Sequence, residues 1–322
     1  MKKLISRGSL LKSDGKTLCE IGYADKLVKS YNLKDIKGKG IDKFRENFEI
    51  IYYESGFCFV LNVVRHRLFG ETKIMIFDFV NRQFEEKRVV EIFACKKYSL
   101  SKQGEIHIKN RELLLNFVDG KKKKLKLLSS DQSNLKLDVE ISNKIPMSIV
   151  TTNQFDDGFD YARSSIGYIA KGFVNYGNRK INLYGNKGAI VAYNGRLATS
   201  KTAKQHRLIY AEGEVCGKGF ALIIDTLSDE NSVCSSMLLY DGYTYKLDEV
   251  IAGITTEYGY KLLGKDDNFS INFYRHFVHL NNSIKDSGIE FGKIKGRIKL
   301  KNGDLITFEN IGAVIAYNSR IM

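Results

Sequence analysis

The densest group of ionisable side chains outside the lysine runs lies between residues 156 and 163. It contains Asp156, Asp157, Asp160, Tyr161 and Arg163. A carboxyl group whose pKa is raised by an apolar cavity can serve as a general acid or base. The alternative is a solvent-exposed turn, which the Asp-Gly pair at 157–158 favours for the first two aspartates. The candidate catalytic residues are therefore Asp160, Tyr161 and Arg163, and Tyr161 and Arg163 are also candidates for ligand binding.

A second polar group consists of Tyr193, Asn194 and Arg196. These side chains could line the mouth of a pocket and hold the polar end of a ligand. The alternative is a loop between two strands, in which the pair Asn194-Gly195 forms an ordinary tight turn. The sequence leaves both interpretations open, and the three residues are candidate ligand-binding residues.

Metal and cofactor sites are not expected. His276 and His279 are three residues apart, so in a strand they point to opposite faces and do not easily share one ion. The five cysteines are scattered without a Cys-x-x-Cys pair, which argues against a zinc site and against a disulfide framework. The sequence contains no phosphate-binding loop, dinucleotide fingerprint or metalloprotease motif, so no cofactor is predicted.

Alternation of polar and apolar residues dominates the chain and predicts β-strands. In residues 293–301 every odd position is basic and every even position is apolar or glycine, so one face of the strand is wet and the other buried. Asp-Gly or Asn-Gly pairs, typical of tight turns, occur at 119–120, 157–158, 241–242 and 302–303. No long segment keeps a helical apolar stripe. The predicted fold class is therefore all-β, with sandwiches or up-and-down barrels.

The second half of the chain repeats the first at a constant offset. Residues 56–62 match 219–225, residues 75–78 match 238–241, and residues 84–86 match 247–249. Three matches on one diagonal indicate two similar domains in tandem, each long enough for a closed antiparallel barrel of roughly eight to ten strands. The boundary is expected at Pro146, the only proline, because proline disfavours a central strand. The predicted domains are residues 1–145 and 146–322.

The net charge of +14 comes from lysines spread along the whole chain. A basic protein of this kind can contact an anionic membrane or nucleic acid. The aromatic and arginine pattern of an RNA-binding sheet is missing, so nucleic acid is not the expected partner, whereas peripheral contact with an anionic membrane stays open. No apolar run approaches the roughly 20 residues that span a bilayer, and no signal-peptide pattern follows Met1, so we predict a cytoplasmic protein without a transmembrane segment.

Several short motifs, taken in order, resemble one bacterial family. They are Gly8 with Leu10-Leu11, Gly22-Tyr23-Ala24, Pro146-Met147-Ser148-Ile149-Val150, Leu239-Tyr240-Asp241-Gly242, and Phe291-Gly292 with Asn302-Gly303. Their order and spacing extend over nearly the whole chain and resemble the family called domain of unknown function 2804. More distantly, the chain is similar to the double-lipocalin proteins that include hydroxyneurosporene-type carotenoid hydratases. This resemblance implies two antiparallel calycin-like or lipocalin-like barrels, packed side by side.

The resemblance and the composition lead to three hypotheses for the function. The first is a module that binds a hydrophobic or amphipathic small molecule, similar to a lipid or isoprenoid. The second is a metal-independent hydratase or isomerase that acts on such a molecule through Asp160, Tyr161 and Arg163. The third is a protein that binds anionic lipid or nucleic acid through its surface charge. Family motifs are only partly kept at 161–164, 192–196 and 234–236, and the tryptophans of the family are absent, which ranks binding above catalysis.

Overall fold

The chain forms two compact units, Met1–Thr199 and Ser200–Met322. The structure is a computed structural model, and it describes residues 5–26, 28–37, 44–54, 56–66, 68–92, 105–119, 123–130, 134–155, 158–197, 205–226, 233–280 and 288–319. Within these residues, no helix has the length and hydropathy that a membrane span requires.

The described part of the first unit is built almost entirely of strands, with a short 3-10 helix at Leu33–Asp35. The strands are β1 (Gly8–Ser9), β2 (Gly22–Ala24), β3 (Lys29–Ser30), β4 (Arg45–Glu54), β5 (Phe57–His66), β6 (Phe69–Asp78), β7 (Gln83–Ile92), β8 (Ile106–Lys109), β9 (Leu113–Asp119), β10 (Lys123–Ser129), β11 (Lys136–Phe155), β12 (Gly158–Tyr176) and β13 (Arg179–Leu197).

The second unit has the same character, with a 3-10 helix at Lys265–Asp267. Its strands are β14 (Gln205–Val215), β15 (Lys218–Asp225), β16 (Met237–Tyr240), β17 (Tyr243–Lys246), β18 (Val250–Thr256), β19 (Gly259–Gly264), β20 (Phe269–Leu280), β21 (Gly288–Lys299) and β22 (Leu305–Ser319).

The large sheets of the two units have the same topology. In the first unit the order is β7-β6-β5-β4-β13-β12-β11-β10-β9-β8, with β2 added on β11, and in the second it is β17-β16-β15-β14-β22-β21-β20-β19-β18. In each sheet the last long strand returns to pair with the first strand of the opening meander, β13 with β4 and β22 with β14. The predicted all-β fold, with two similar antiparallel sheets in tandem, is confirmed.

The first sheet is strongly curled. The evidence is that residues from both of its edges belong to one apolar core. Val89 on β7 and Ile106 on β8, at opposite edges, belong to the same cluster of buried side chains as Phe48 on β4. Lys87 Nζ on β7 also donates a 2.5 Å hydrogen bond to Ser129 Oγ on β10. The second sheet encloses a core of its own, to which strands from β14 to β22 contribute. In each unit the face that lines this core is called the inner face below, and the opposite one the outer face.

The repeated segments correspond only in part to equivalent strands. Residues 56–62 lie at the start and in the first part of β5, and residues 219–225 lie in β15, which holds the same place in the second sheet. The next pair of segments lies in β6 and at the end of β16. The third does not correspond: residues 84–86 are in β7, whereas residues 247–249 follow the end of β17.

Two of the predicted turns show the chemistry that the sequence indicated. Asp241 and Gly242 join β16 to β17 with φ angles of 53° and 81°, the left-handed pair that a two-residue hairpin turn requires. Gly303, with a φ of 93°, lies in the turn between β21 and β22. The strand predicted at residues 293–301 is the greater part of β21.

Pro146 lies inside β11 rather than in a linker, so it does not interrupt the strand as expected. The pairing of β11 with β12 shifts register between Asn143 and Met147. On its other side, β11 pairs with β10 up to Ile141 and with β2 from Val150. Pro146 lies between these two ladders, so neither of them requires the backbone N–H that proline lacks. The division into domains at residues 145 and 146 stays a prediction; the compact units meet at Thr199 and Ser200.

Candidate functional site

Strand β4 presents a line of polar side chains on its outer face. Because side chains alternate along a strand, Arg45, Asn47 and Glu49 lie on one face, while Phe48 and Ile50 belong to the inner apolar core. Each step of two residues covers about 6.8 Å, so the three polar residues extend over about 13 Å.

Neighbouring strands place further polar residues on the same face. Arg45 is opposite His66 on β5, and Glu49 is opposite Asn62. On the other side, β13 separates β4 from β12, and its residue Arg196 pairs with both Arg45 and Asp160. Directly opposed residues share a face of the sheet. The set of Arg45, Asn47, Glu49, Asn62, His66 and Asp160 is called the polar face here.

Two atoms of the polar face are buried without a hydrogen-bond partner among the described residues. They are Arg45 Nε and Asn47 Oδ1. Glu49, which is 9% exposed, accepts a 3.2 Å hydrogen bond at Oε2 from Asn62 Nδ2. Asp160 is buried as well, with an exposed fraction of 1%. Buried polar atoms of proteins are nearly always paired, so an unpaired donor and an unpaired acceptor on the same face of one strand are unusual.

Burial shifts the pKa values of Glu49, Arg45 and His66 toward the uncharged forms. It raises the pKa of Glu49 to about 7, although the hydrogen bond from Asn62 acts in the opposite direction. It lowers the pKa of Arg45, with Glu71 opposing the change. Burial, followed by the charge of Arg45, lowers the pKa of His66 to about 4. A carboxyl group with a pKa near neutrality can both donate and accept a proton under ordinary conditions.

The same outer face continues as an apolar surface beyond Glu49. Ile51 on β4 is opposite Val60 on β5, and Val60 is opposite Met75 on β6. These three residues are buried, as are Cys58 and Phe77 in the next row. The outer face of this part of the sheet is therefore amphipathic, polar at one end and apolar at the other.

The inner face bears a different and self-contained polar network. Glu46 is fully buried and accepts a 2.9 Å hydrogen bond from the Tyr31 hydroxyl at Oε1, and its Oε2 lies 3.3 Å from Arg65 Nε. Tyr161 belongs to this side, where its hydroxyl donates a 3.2 Å hydrogen bond to the Lys29 carbonyl. Burial raises the pKa of Tyr161 to about 12.

The N-terminal segment, residues 5–36, packs over this end of the inner face. It forms a small apolar core with β11 and β12 that includes Leu10, Tyr31, Val150, Phe159 and Tyr161. Tyr161 therefore holds the N-terminal segment against the sheet, and its contacts there stabilise the fold.

The structure separates the residues that the sequence grouped together. Asp160 lies on the outer face, and alternation places Tyr161 and Arg163 on the inner face, so the three side chains do not form one site. Asp156 and Asp157 lie outside the described residues.

The second predicted group lies within a strand. Tyr193, Asn194 and Arg196 are all in β13, so the alternative of a tight turn at Asn194-Gly195 is wrong. Their backbone partners on β4 are Phe48, Asn47 and Arg45, respectively. The side chains of these three residues lie outside the described part of the structure, and their role in ligand binding stays a prediction.

Among the residues that the structure describes, no group of three or more His, Cys, Asp or Glu side chains could hold a metal ion.

The sequence analysis missed Arg45, Asn47, Glu49, Asn62 and His66. The signal that could have found part of this set is the alternation in β4, where polar residues occupy three successive odd positions. Such a pattern is ordinarily typical of a solvated strand face, and the burial of these residues depends on packing beyond the strand.

Comparison with known families identifies one that extends over almost the entire chain. Its description is "domain of unknown function (DUF2804)", and its model matches residues 1–316. The chain belongs to the DUF2804 family. Comparison with curated protein sequences gives no significant match.

Three solved structures have some similarity to this DUF2804 member. A protein described as AttH, from Nitrosomonas europaea, is similar with a TM-score of 0.54 and 8% identity, over 87% of this chain and 93% of that one. Kievitone hydratase from Nectria haematococca has a TM-score of 0.47 and 11% identity, over 98% and 99% of the two chains. CghA with Sch210972 has a TM-score of 0.43 and 8% identity, over 86% and 88%. The first of these shows a shared fold.

Proposed function

We propose that this protein binds a hydrophobic or amphipathic small molecule, similar to a lipid or isoprenoid, with its polar end on the polar face. The observation that carries the proposal is that Arg45 Nε and Asn47 Oδ1 are buried without a hydrogen-bond partner among the described residues. An unpaired buried polar atom destabilises a protein by about 1–3 kcal/mol. A ligand with an acceptor for Arg45 Nε and a donor for Asn47 Oδ1 would remove this penalty at both atoms.

The chemistry of the face describes such a ligand. Arg45 Nε can donate to a carboxylate, carbonyl or hydroxyl oxygen, and Asn47 Oδ1 can accept from a hydroxyl or amide. The apolar end of the face, with Ile51, Val60 and Met75, suits a hydrocarbon body. The resemblance of the sequence to double-lipocalin proteins supports the same class of ligand.

The test is a fluorescence titration with cis-parinaric acid, a carboxylate with an apolar chain, and with all-trans-retinol as a neutral probe. A hydrogen bond to a charged group contributes roughly 1.5–3 kcal/mol, so Arg45→Met should raise the Kd for parinarate about 10- to 100-fold. Arg111→Met, at an exposed arginine, is the matched control and should leave the Kd unchanged. Failure of the wild-type protein to bind either probe, or equal Kd values for the two variants, would contradict the proposal.

A second candidate function is metal-independent hydration or isomerisation of the bound molecule, and the raised pKa of Glu49 favours it. In a hydration, protonated Glu49 would give its proton to one alkene carbon, water would add to the other, and the carboxylate would take up the proton that water releases. Asp160 shares the outer face and is the other candidate acid or base. Tyr161 and Arg163 lie on the opposite face and would not touch a ligand bound there.

The catalytic candidate has its own test. Lipids that co-purify with the protein would be incubated with it in ¹⁸O-enriched water, and the products analysed by mass spectrometry. Incorporation that is lost in Glu49→Gln and kept in Glu309→Gln, at an exposed glutamate, is the expected result. Incorporation at the same rate in both variants would remove Glu49 from the mechanism, and no incorporation with retained binding would exclude hydration of the bound molecule.

A further inference from the structure

The outer face of the second sheet carries a column of basic side chains. Strand β21 exposes Lys293, Lys295, Arg297 and Lys299, while Ile294 and the other residues between them are buried or half-buried. Alternate residues of a strand are about 6.8 Å apart, so the four charges form a straight line of about 20 Å. An ordinary solvated strand face carries charges of both signs, whereas all four charges in this line are positive.

The neighbouring strands add one more cation and little acid. Lys261 on β19 pairs with Asn272 on β20, and Asn272 pairs with Lys295, so the three residues form one row across the same face. Glu309 lies 3.1 Å from Lys295 Nζ and neutralises that one charge. The cations of this face therefore outnumber the carboxylates.

Exposed apolar side chains border the basic column. Ile254 on β18 is opposite Lys261 and is 50% exposed, and Leu305 on β22 is opposite Lys299 and is 58% exposed. Tyr274 is opposite Lys293 and is 43% exposed. Tyrosine is favoured where an apolar ring body meets the polar headgroups of a membrane. The face thus combines cations with aliphatic groups that water does not solvate well.

We propose that this face of the second unit, with Lys261, Lys293, Lys295, Arg297, Lys299, Ile254, Tyr274 and Leu305, docks on a bilayer that contains anionic lipid. The cations match the negative charge of phospholipid headgroups, and the aliphatic side chains enter the interfacial layer. A nucleic acid would use the same cations, but its bases would stack on aromatic rings and would give no place to Ile254 and Leu305. The aliphatic groups therefore favour a membrane.

The experiment is co-sedimentation of the full chain with vesicles of phosphatidylcholine alone and of phosphatidylcholine mixed with phosphatidylglycerol. Each cation near an anionic surface strengthens partitioning about fivefold, so the double substitution Lys293→Gln, Arg297→Gln should weaken binding to the mixed vesicles roughly 30-fold. The matched control is Lys124→Gln, Lys126→Gln, which removes the same charge from the exposed face of β10 in the first unit. The control should bind as the wild type does.

A second variant tests the apolar part of the face. Ile254→Ser, Leu305→Ser keeps every charge and should weaken binding most at high salt, where electrostatic attraction is screened. The proposal is overturned if the wild-type protein does not sediment with the mixed vesicles. It is also overturned if the variant of β21 and the control variant of β10 lose binding equally, since the total charge of the protein would then explain the binding. Salt-sensitive binding to single-stranded RNA without vesicle binding would also overturn it. Circular dichroism checks that each variant is folded.

Discussion

Glu49 and Asn62 face each other across β4 and β5, and Asn62 Nδ2 donates a 3.2 Å hydrogen bond to Glu49 Oε2. The donated hydrogen bond favours the ionised carboxylate, so it opposes the effect of burial on the pKa of Glu49. Burial then favours the neutral acid. A carboxyl group held in this way, beside an unpaired arginine Nε on the same face, is ready to bind a polar group or to exchange a proton with it.

The raised pKa of Glu49 predicts that acid stabilises this part of the fold. The folded pKa is about 7 and the reference value is 4.5, so between these values the folded state binds more protons than the unfolded state. Its stability contribution is fully present below about pH 4.5 and is lost as the pH rises through 7. The full effect is roughly 3 kcal/mol at the usual conversion of pKa shift to free energy.

This prediction is checked by urea denaturation of wild type and Glu49→Gln at pH 5 and pH 8. The free energy of unfolding of the wild type should fall between pH 5 and pH 8, whereas that of the variant should not. The variant should therefore be the more stable protein at pH 8. Glu309→Gln, at a glutamate that is 59% exposed, should behave as the wild type. A Glu49→Gln profile parallel to that of the wild type would mean that Glu49 titrates normally.

The buried network around Glu46 predicts a strong effect on stability. Glu46→Ala removes one partner of Arg65 and one partner of Tyr31 within a buried network. Breaking a buried pair in this way destabilises by about 3–5 kcal/mol, whereas loss of an exposed pair costs about 0–1 kcal/mol. Glu309→Ala, which removes the partner of the exposed Lys295, is the matched control. Equal free energies of unfolding for the two variants would show that the inner network contributes little.

Gly172 marks a place where two strands approach too closely for a side chain. A Cβ atom there would lie 2.0 Å from the Asp138 carbonyl oxygen, and the φ of 141° is unfavourable for any L side chain. Gly172→Ala is therefore expected to destabilise by several kcal/mol, at the upper end of what single substitutions do. Gly219→Ala, where a Cβ meets nothing within 4 Å, should be close to neutral. The measurement is the melting temperature of each variant, which should be well below that of the wild type for Gly172→Ala and close to it for Gly219→Ala.

Much of the fold could be predicted from local sequence. The alternation in residues 293–301 predicted β21, and Asp241-Gly242 predicted the hairpin turn between β16 and β17, because strand faces and tight turns depend on residues close together in the chain. The repeated segments predicted two similar sheets. The expectation that a proline would not stand inside a central strand was wrong, because Pro146 lies where the pairing of β11 with β12 shifts register.

The sequence by itself determined that this is an all-β chain with two similar units. Only the tertiary structure decided which polar residues meet. Strand β4 pairs with β13, far along the chain, and this pairing places Asp160 in line with Arg45 and His66. The polar residues of β4 have the pattern of a solvated strand. Their burial, and with it the raised pKa of Glu49, arises from packing that no local pattern specifies.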